Sequence, residues 1–366
     1  MQIIYSVGAK LKGGGFGNTA YYGALGLEKA GFLMKVLAMG SGEQIEIPTH
    51  KIKNLNLAQR FDGFPLLKDN LFDLSASRFV KDCDFLHVWA GFGLFSMLKA
   101  KKKGIKIVLD RASSHILWQK EILEREYKKW NVNGFSISSL LVQKQLMEYK
   151  LADYIFVPSP FAFESFIKKG FSPDKLRLIP FGVDLDKFKP QEKSDKYPEF
   201  TVVFVGQISI RKGVQYLLEA WQRLNLNEAK LILVGKISTD FQKIWSRYQN
   251  NPTIEHQEFC DPLSYYQKSD LFVFPSLEEG SALVTYEAMA CGLPLIVTHE
   301  SGSIVEDQRE GLIIKSGDVN DLAQKLEYFY QYRDSVLQMG KMAQEKIKNY
   351  TWDNYGERVA ETYEDI

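Results

Sequence analysis

Cysteine is scarce: 366 residues hold only Cys83, Cys260 and Cys291, and no Cys-x-x-Cys joins them. An odd, scattered set excludes a disulfide framework and points to a reducing cytoplasm. Long apolar runs are lacking as well. The longest uncharged stretch with real apolar content, from Phe85 to Leu98, contains His87 and falls short of the roughly 20 residues that span a bilayer. Met1-Gln2-Ile3-Ile4-Tyr5 has neither a basic start nor an extended apolar core, so no secretory leader is expected. Charge of one sign is missing overall. Lys and Arg total 46 and Asp and Glu 45, a net charge of +1, which argues against a general nucleic-acid binder. Metal-binding spacings are absent too. His50, His87, His115, His256 and His299 show no His-x-x-x-His or His-Glu-x-x-His pattern. Asp184-Leu185-Asp186 has the Asp-x-Asp form but reads as a cap and linker turn, so no metal is expected. No Gly-x-Ser-x-Gly elbow occurs.

What is present is an ordinary globular composition, 45% apolar and 25% charged, which excludes disorder and collagen-like repeats. At about 150 residues per domain, the length suits two domains. In the first half, strands are expected at 2–7, 33–38, 85–89, 105–109, 154–157 and 176–181, with a helix over 18–30 stopped by Gly31. Apolar β-type runs separated by helical patterns point to a parallel sheet covered on both faces. Residues 187–199 are polar, carry Pro190 and Pro198, and read as an interdomain linker. A second alternation follows, with strands at 201–205, 230–234, 253–256, 270–274 and 294–298 and helices over 212–224 and 282–290. The tail from 321 is helical, and Thr351 is placed to cap a last helix over 352–364. The fold class is therefore α/β, with doubly wound domains over 1–188 and 189–350 and a terminal helix over 351–366. Charge divides unevenly: residues 1–188 hold 27 Lys and Arg against 18 Asp and Glu, and the remainder 19 against 27. A basic first half suits an anionic acceptor or an anionic membrane surface. Taken alone, Lys99, Lys101, Lys102, Lys103 and Lys106 read as a solvated helix end.

Three segments carry chemistry. Lys12-Gly13-Gly14-Gly15-Phe16-Gly17-Asn18 lies between the first strand and a helix, where glycines let backbone N–H groups approach a phosphate. Gly13 and Gly15 match Gly-x-Gly-x-x-Gly, but Asn18 stands at its last position and no acidic residue ends the second strand at 38–40. A nicotinamide cofactor is therefore set aside, and a tight turn is the competing reading. Gly206-Gln207-Ile208-Ser209-Ile210-Arg211-Lys212-Gly213 follows a strand and opens a helix. Adjacent cations there are unfavourable at a helix end that is already partly positive, a cost that a bound diphosphate relieves; an exposed loop pair is the alternative. Pro275-Ser276-Leu277-Glu278-Glu279-Gly280-Ser281 ends a strand before the helix over 282–290. Glu279 is placed at the strand's carboxyl end, where ligands bind in open α/β sheets. Glu287 falls about a turn and a half into the helix. Two carboxylates at that spacing suit neighbouring sets of sugar hydroxyls, and amides near Ala282 and Leu283 suit a phosphate. In the first half, Asp110-Arg111-Ala112-Ser113-Ser114-His115 follows a strand in a Ser-rich loop. Ile122, Leu123, Tyr127 and Trp130 form one apolar stripe among Lys120, Arg125, Lys128 and Lys129. That stripe suits a membrane or lipid acceptor and, more readily, a protein core.

At these residues the chain resembles the retaining glycosyltransferases of family four, which have the GT-B fold. The resemblance is carried by Pro275-Ser276-Leu277-Glu278-Glu279-Gly280 and Glu287-Ala288-Met289-Ala290-Cys291-Gly292-Leu293-Pro294. Ile179-Pro180-Phe181-Gly182-Val183-Asp184, Phe204-Val205-Gly206 and Arg211-Lys212-Gly213 support it, as does the segment from Trp352 to Tyr363. It implies two Rossmann-like domains facing a central cleft, with the last helix crossing back to the first domain. It also implies a nucleotide-diphosphate sugar donor, UDP ahead of GDP, and transfer with retention to an acceptor hydroxyl of a carbohydrate, lipid or small molecule. No metal or cofactor is implied, and the setting is cytoplasmic or peripheral at the inner membrane face. Lys212 with Arg211 then neutralises the leaving diphosphate, Glu287 binds the ribose and Glu279 contacts the transferred sugar. Gly14, Gly15, Gly206, Ser281, Ala282 and Leu283 complete the donor site, while Gly17 and Arg111 are assigned to the acceptor. By position His115 resembles the family's histidine-bearing loop, whose histidine faces the sugar. Many members carry Arg where Gln207 stands, so Arg211 is expected to take that charge. A nucleotide-sugar 2-epimerase of the same fold and a non-catalytic nucleotide-sugar-binding protein are the rival readings.

Overall fold

The computed structural model describes residues 1–42, 45–52, 65–132, 135–191 and 199–366. Residues 192–198 of the expected linker, Pro198 included, lie outside the described residues. The chain forms two compact units: Met1–Trp118 with Ser136–Phe181 and Trp352–Ile366, and Gln119–Phe135 with Gly182–Thr351.

The first half runs β1 (Ile3–Leu11), α1 (Phe16–Lys29), β2 (Leu33–Ser41), β3 (Thr49–Lys51), α2 (Pro65–Ser77), β4 (Phe85–Trp89) and α3 (Leu94–Lys102). It continues through β5 (Lys106–Asp110), α4 (Ile116–Lys129), α5 (Ser139–Leu151), β6 (Tyr154–Val157), α6 (Pro160–Lys168) and β7 (Leu176–Leu178). The strands form a seven-stranded parallel sheet in the order β3-β2-β1-β4-β5-β6-β7. Ile4, Leu37, Leu86, Ile107 and Ile155 are buried at its centre, as near-continuous apolar strands require when helices cover both faces. β1 runs past the expected end at residue 7, because a register shift between Val7 and Lys10 lets Leu11 pair with Ser41. β3 was not expected: three half-polar residues at a sheet edge carry no apolar run.

The second half runs β8 (Phe200–Val205), α7 (Val214–Leu224), β9 (Ala229–Val234), α8 (Gln242–Trp245), β10 (Ile254–Gln257) and α9 (Leu263–Lys268). Then come β11 (Leu271–Phe274), α10 (Leu283–Ala290), β12 (Leu295–Thr298), β13 (Gly311–Ile314), α11 (Val319–Gln331), α12 (Arg333–Ile347) and α13 (Trp352–Glu364). Its parallel six-stranded sheet has the order β10-β9-β8-β11-β12-β13. Each sheet reverses its strand order beside its first strand, between β1 and β4 and between β8 and β11. Such switch points open a crevice at the strands' carboxyl ends.

Two segments cross the expected division at residue 188. Helix α13 belongs to the first unit, where it packs on α1. A Cβ on Gly26 would lie 2.2 Å from the Gly356 carbonyl oxygen, so the two helices meet backbone to backbone. The Tyr22 and Trp352 rings stack at 4.8 Å, and Tyr363 hydrogen-bonds His87 Nδ1 at 2.7 Å. Residues 119–135, which the sequence division puts in the first domain, belong to the second unit. There Tyr127 donates to Asp240 and Tyr216 donates to Glu126. Tyr127 also stacks on Phe135 at 4.2 Å, so the apolar stripe of α4 faces protein. The lysine-rich end of α3 is likewise engaged locally: Lys99 donates to the Ser77 carbonyl and Lys101 pairs with Asp153. Asp184 accepts from the amides of Asp186 and Lys187, the cap-and-turn role its spacing suggested.

Candidate active site

In the second unit, two loops meet at the switch point. Gly213 ends the β8–α7 loop with φ of +68°, and a Cβ there would lie 2.0 Å from the Pro275 carbonyl oxygen. Only glycine lets the β8–α7 turn lie this close to the loop that follows β11. Helix α7 begins at Val214, so Arg211 and Lys212 stand in the turn before it, not in its first turn as expected. Their mutual repulsion is relieved by carboxylates of the facing loop. Arg211 Nη2 lies 3.0 Å from Glu278 Oε2 and 3.6 Å from Glu279 Oε2, and its Nε donates to the Glu278 carbonyl. Lys212 pairs with Glu279 Oε1 and lies 5.2 Å over the Phe274 ring. Ser276 ties the pairs together, its hydroxyl 3.2 Å from Glu279 Oε1 and 3.2 Å from the Arg211 carbonyl. Burial disfavours the Arg211 charge, but Glu279 and Glu278 more than offset this and its pKa is raised. Gly206 closes β8 at φ of +143°, and a Cβ on neighbouring Gly235 would lie 2.0 Å from the Gly206 carbonyl oxygen.

Glu287 lies on α10, where the Tyr266 hydroxyl donates to it at 2.9 Å. Burial raises its pKa, and the Tyr266 hydrogen bond acts in the opposite sense. The phosphate-binding expectation for the start of α10 changes in detail. The Ala282 amide donates to the Ser301 carbonyl at 3.1 Å, and the Ser281 hydroxyl lies 2.9 Å from both Tyr286 Oη and the Gly302 carbonyl. Both residues are thus occupied in holding the loop. Leu283, the first helical residue, follows an Ala282 N-cap with no side-chain capping bond.

In the first unit, Gly14 at φ of +85° and Gly15 at φ of +50° form an exposed turn into α1, with open space where a Cβ would stand. Asn18, which breaks the dinucleotide pattern, has its side-chain oxygen accepting the Gly14 amide at 3.2 Å. The Gly13 amide donates to the Lys10 carbonyl. Gly17 is buried and required by packing, since a Cβ would lie 2.3 Å from Lys10 O. That is a structural role for a residue assigned to the acceptor. Arg111 is buried, with Nε donating to the Ser114 carbonyl at 2.9 Å.

His115 does not sit as expected of a sugar-facing group. It is 1% exposed and enclosed by the rings of Tyr149, Phe166 and Phe171, with centroids 5.0–5.5 Å away. Its Nδ1 accepts the Leu117 amide at 3.2 Å in the first turn of α4. The imidazole is a neutral helix cap. Burial, then the charges of Arg111 and Lys169, pull its pKa from 6.5 down to about 4. Because the folded state refuses a proton that the unfolded chain takes, this stability is complete above about pH 6.5 and lost as pH falls toward 4. The expected loss is about 2–3 kcal/mol, read by urea unfolding at several pH values. His115→Gln should flatten the slope; an unchanged slope would remove the neutral-cap assignment.

The family model described as Glycosyltransferase Family 4 matches residues 13–187, and that described as Glycosyl transferases group 1 matches residues 199–331. The chain belongs to the family-four glycosyltransferases. It is 25% identical over 237 residues to the capsular polysaccharide biosynthesis glycosyltransferase CapM of Staphylococcus aureus, covering 60% of this chain and 62% of that one. It is 29% identical over 221 residues to sulfoquinovosyl transferase SQD2 of Arabidopsis thaliana, covering 56% and 43%. The chain thus spans about half the length of the curated relatives it matches. Among solved structures, sucrose-phosphate synthase from Thermosynechococcus elongatus superposes with a TM-score of 0.74 at 19% identity, over 100% of this chain and 99% of that one. Anabaena HepE, solved in complex with UDP-glucose, superposes with a TM-score of 0.71 at 17% identity over 100% of both chains. These likenesses establish the GT-B fold.

Within this family-four chain, sequence reasoning passed over Glu278, Ser276 and Tyr266. Glu278 is wholly buried, yet it fixes Arg211 and accepts from Gln119 at 2.8 Å. Its adjacency to Glu279 in the loop after β11 was the one available signal. Tyr266 had no signal, because it reaches Glu287 from a different helix. Among the described residues, no group of three His, Cys, Asp or Glu side chains is placed to hold a metal ion. Among them, too, no helix is long and apolar enough to cross a membrane.

Proposed function

We propose that the chain transfers a hexose-type sugar from a UDP-sugar to an acceptor hydroxyl in glycan or glycolipid assembly, with retention of configuration and no resident metal. The observation that carries this reading is the pairing of Arg211 and Lys212 with Glu278 and Glu279 across the β8/β11 switch point. A donor exchanges those partners. The diphosphate takes Lys212 and the open side of Arg211, which frees the Glu279 carboxylate to accept from hydroxyls of the sugar. Glu287, oriented by Tyr266, accepts from the ribose hydroxyls. As the anomeric carbon–oxygen bond breaks, charge grows on the departing diphosphate. Fixed cations stabilise that charge, and one well-placed donor of this kind lowers a barrier by about 3 kcal/mol. The new bond forms from the acceptor oxygen to the anomeric carbon on the face the diphosphate leaves. The acceptor's proton passes to the leaving phosphate oxygen. His115, enclosed and neutral, positions the start of α4 in this scheme.

The test is a thermal-shift and calorimetric screen of UDP-, GDP- and ADP-sugars, followed by product analysis. UDP-sugars should raise the melting temperature most. Glu287→Gln should weaken UDP binding by about tenfold, the worth of one charge-assisted hydrogen bond, and Tyr266→Phe by less. Unchanged affinity in Glu287→Gln removes the ribose role. A new sugar epimer formed from a UDP-sugar without acceptor would defeat transfer in favour of epimerisation.

A further inference from the structure

The second unit contains a cavity of about 430 Å³ that none of the donor residues lines. One wall is the polar side of α4, with Arg125, Glu126 and Lys129. The other is formed by Tyr216 on α7 and by the loop after β13, with Lys315 and Ser316. The volume falls within the range of small-molecule sites. Three cations and two carboxylates, Glu126 and Glu300, line it.

The cations differ in how they are held. Lys129 Nζ donates to the Tyr216 hydroxyl at 2.8 Å and lies 4.8 Å over its ring. Tyr216 in turn donates to Glu126 Oε1, which also accepts from Trp130 Nε1 at 2.9 Å. This chain fixes one wall. Both bonds fall on the same Glu126 oxygen, which leaves Oε2 without a partner among the described residues. Arg125 and Lys315 are exposed, and their side chains make no hydrogen bond or ion pair with the described residues. Ile122 and Leu277 supply apolar surface beside them.

That set of groups matches one ligand chemistry. A guanidinium fork and an ammonium suit a compact anion. The unpaired Glu126 Oε2 and the Ser316 hydroxyl suit ligand hydroxyls, and the two aliphatic side chains suit the C–H face of a sugar ring. We propose that this cavity binds an anionic monosaccharide, a sugar bearing a phosphate or a carboxylate, separately from the nucleotide. The site stands on its own residues and does not require the transfer reading to hold.

Calorimetry on the full chain tests it with glucose 6-phosphate, glucuronate and uncharged glucose. At least one of the two anionic sugars should bind saturably and more tightly than glucose. Binding of the phosphate sugar alone assigns the anion as phosphate, and binding of both assigns it as either. Arg125→Glu and Lys315→Glu should each weaken that binding by about tenfold or more, the worth of a charge-assisted contact, while UDP affinity is unchanged. Both residues are exposed, so circular dichroism should confirm a retained fold. Saturable binding of neither anionic sugar, affinity in both variants equal to that of the unsubstituted chain, or displacement of the sugar by UDP would each overturn the proposal.

Discussion

Lys212→Ala is expected to lower turnover with a UDP-sugar by about two to three orders of magnitude, the range seen when one preorganised donor to developing charge is removed. The fold should survive the change. Glu279 loses one partner but keeps the Ser276 hydroxyl at 3.2 Å and Arg211 Nη2 at 3.6 Å, so no carboxylate is stranded. Lys212→Arg should retain part of the activity, because charge persists while the point geometry over Phe274 changes. Steady-state kinetics beside a melting curve separates the two effects. Near-normal turnover in Lys212→Ala, with a normal melting temperature, would take the leaving-group role away from this residue.

Gly213→Val is expected to destabilise the second unit by about 3–5 kcal/mol, the range for strain at a special backbone conformation combined with a steric clash. The residue sits at φ of +68°, and its Cβ would lie 2.0 Å from the Pro275 carbonyl oxygen, a backbone atom that cannot turn aside. Relief requires the two loops to separate, which also pulls Arg211 from Glu278. Gly104 provides the control. It has nearly the same φ, +71°, with nothing within 4 Å of its Cβ position. Gly104→Ala should therefore cost only the left-handed penalty of about 1 kcal/mol. Equal losses at the two positions, measured by urea unfolding, would show that close approach at Gly213 is not what demands glycine.

The parts of the candidate site that the sequence marks are local. Glu279, Glu287, Arg211 and Lys212 stand within single loop-to-helix passages, where strand end, turn and helix start follow from apolar runs and glycines. The illegible parts were pairings at long range. Nothing near Glu278 in sequence announces Gln119, and nothing near Tyr216 announces Glu126, because the partners lie 159 and 90 residues apart. His115 shows the converse. Its position beyond β5 suggested an open face, but Tyr149, Phe166 and Phe171 arrive from elements that close over it.

Periodicity and glycine placement, both properties of short stretches, were enough to set the two parallel α/β halves and the switch-point loops. Which side chains are spent on one another was decided by tertiary structure alone. It set the cations against the paired glutamates, committed the Ser281 hydroxyl and Ala282 amide to loop bonds, buried His115 as a cap and gave residues 119–135 to the second unit. The reason is physical: a buried polar group must find a partner wherever the fold brings one, and sequence distance carries no record of that meeting.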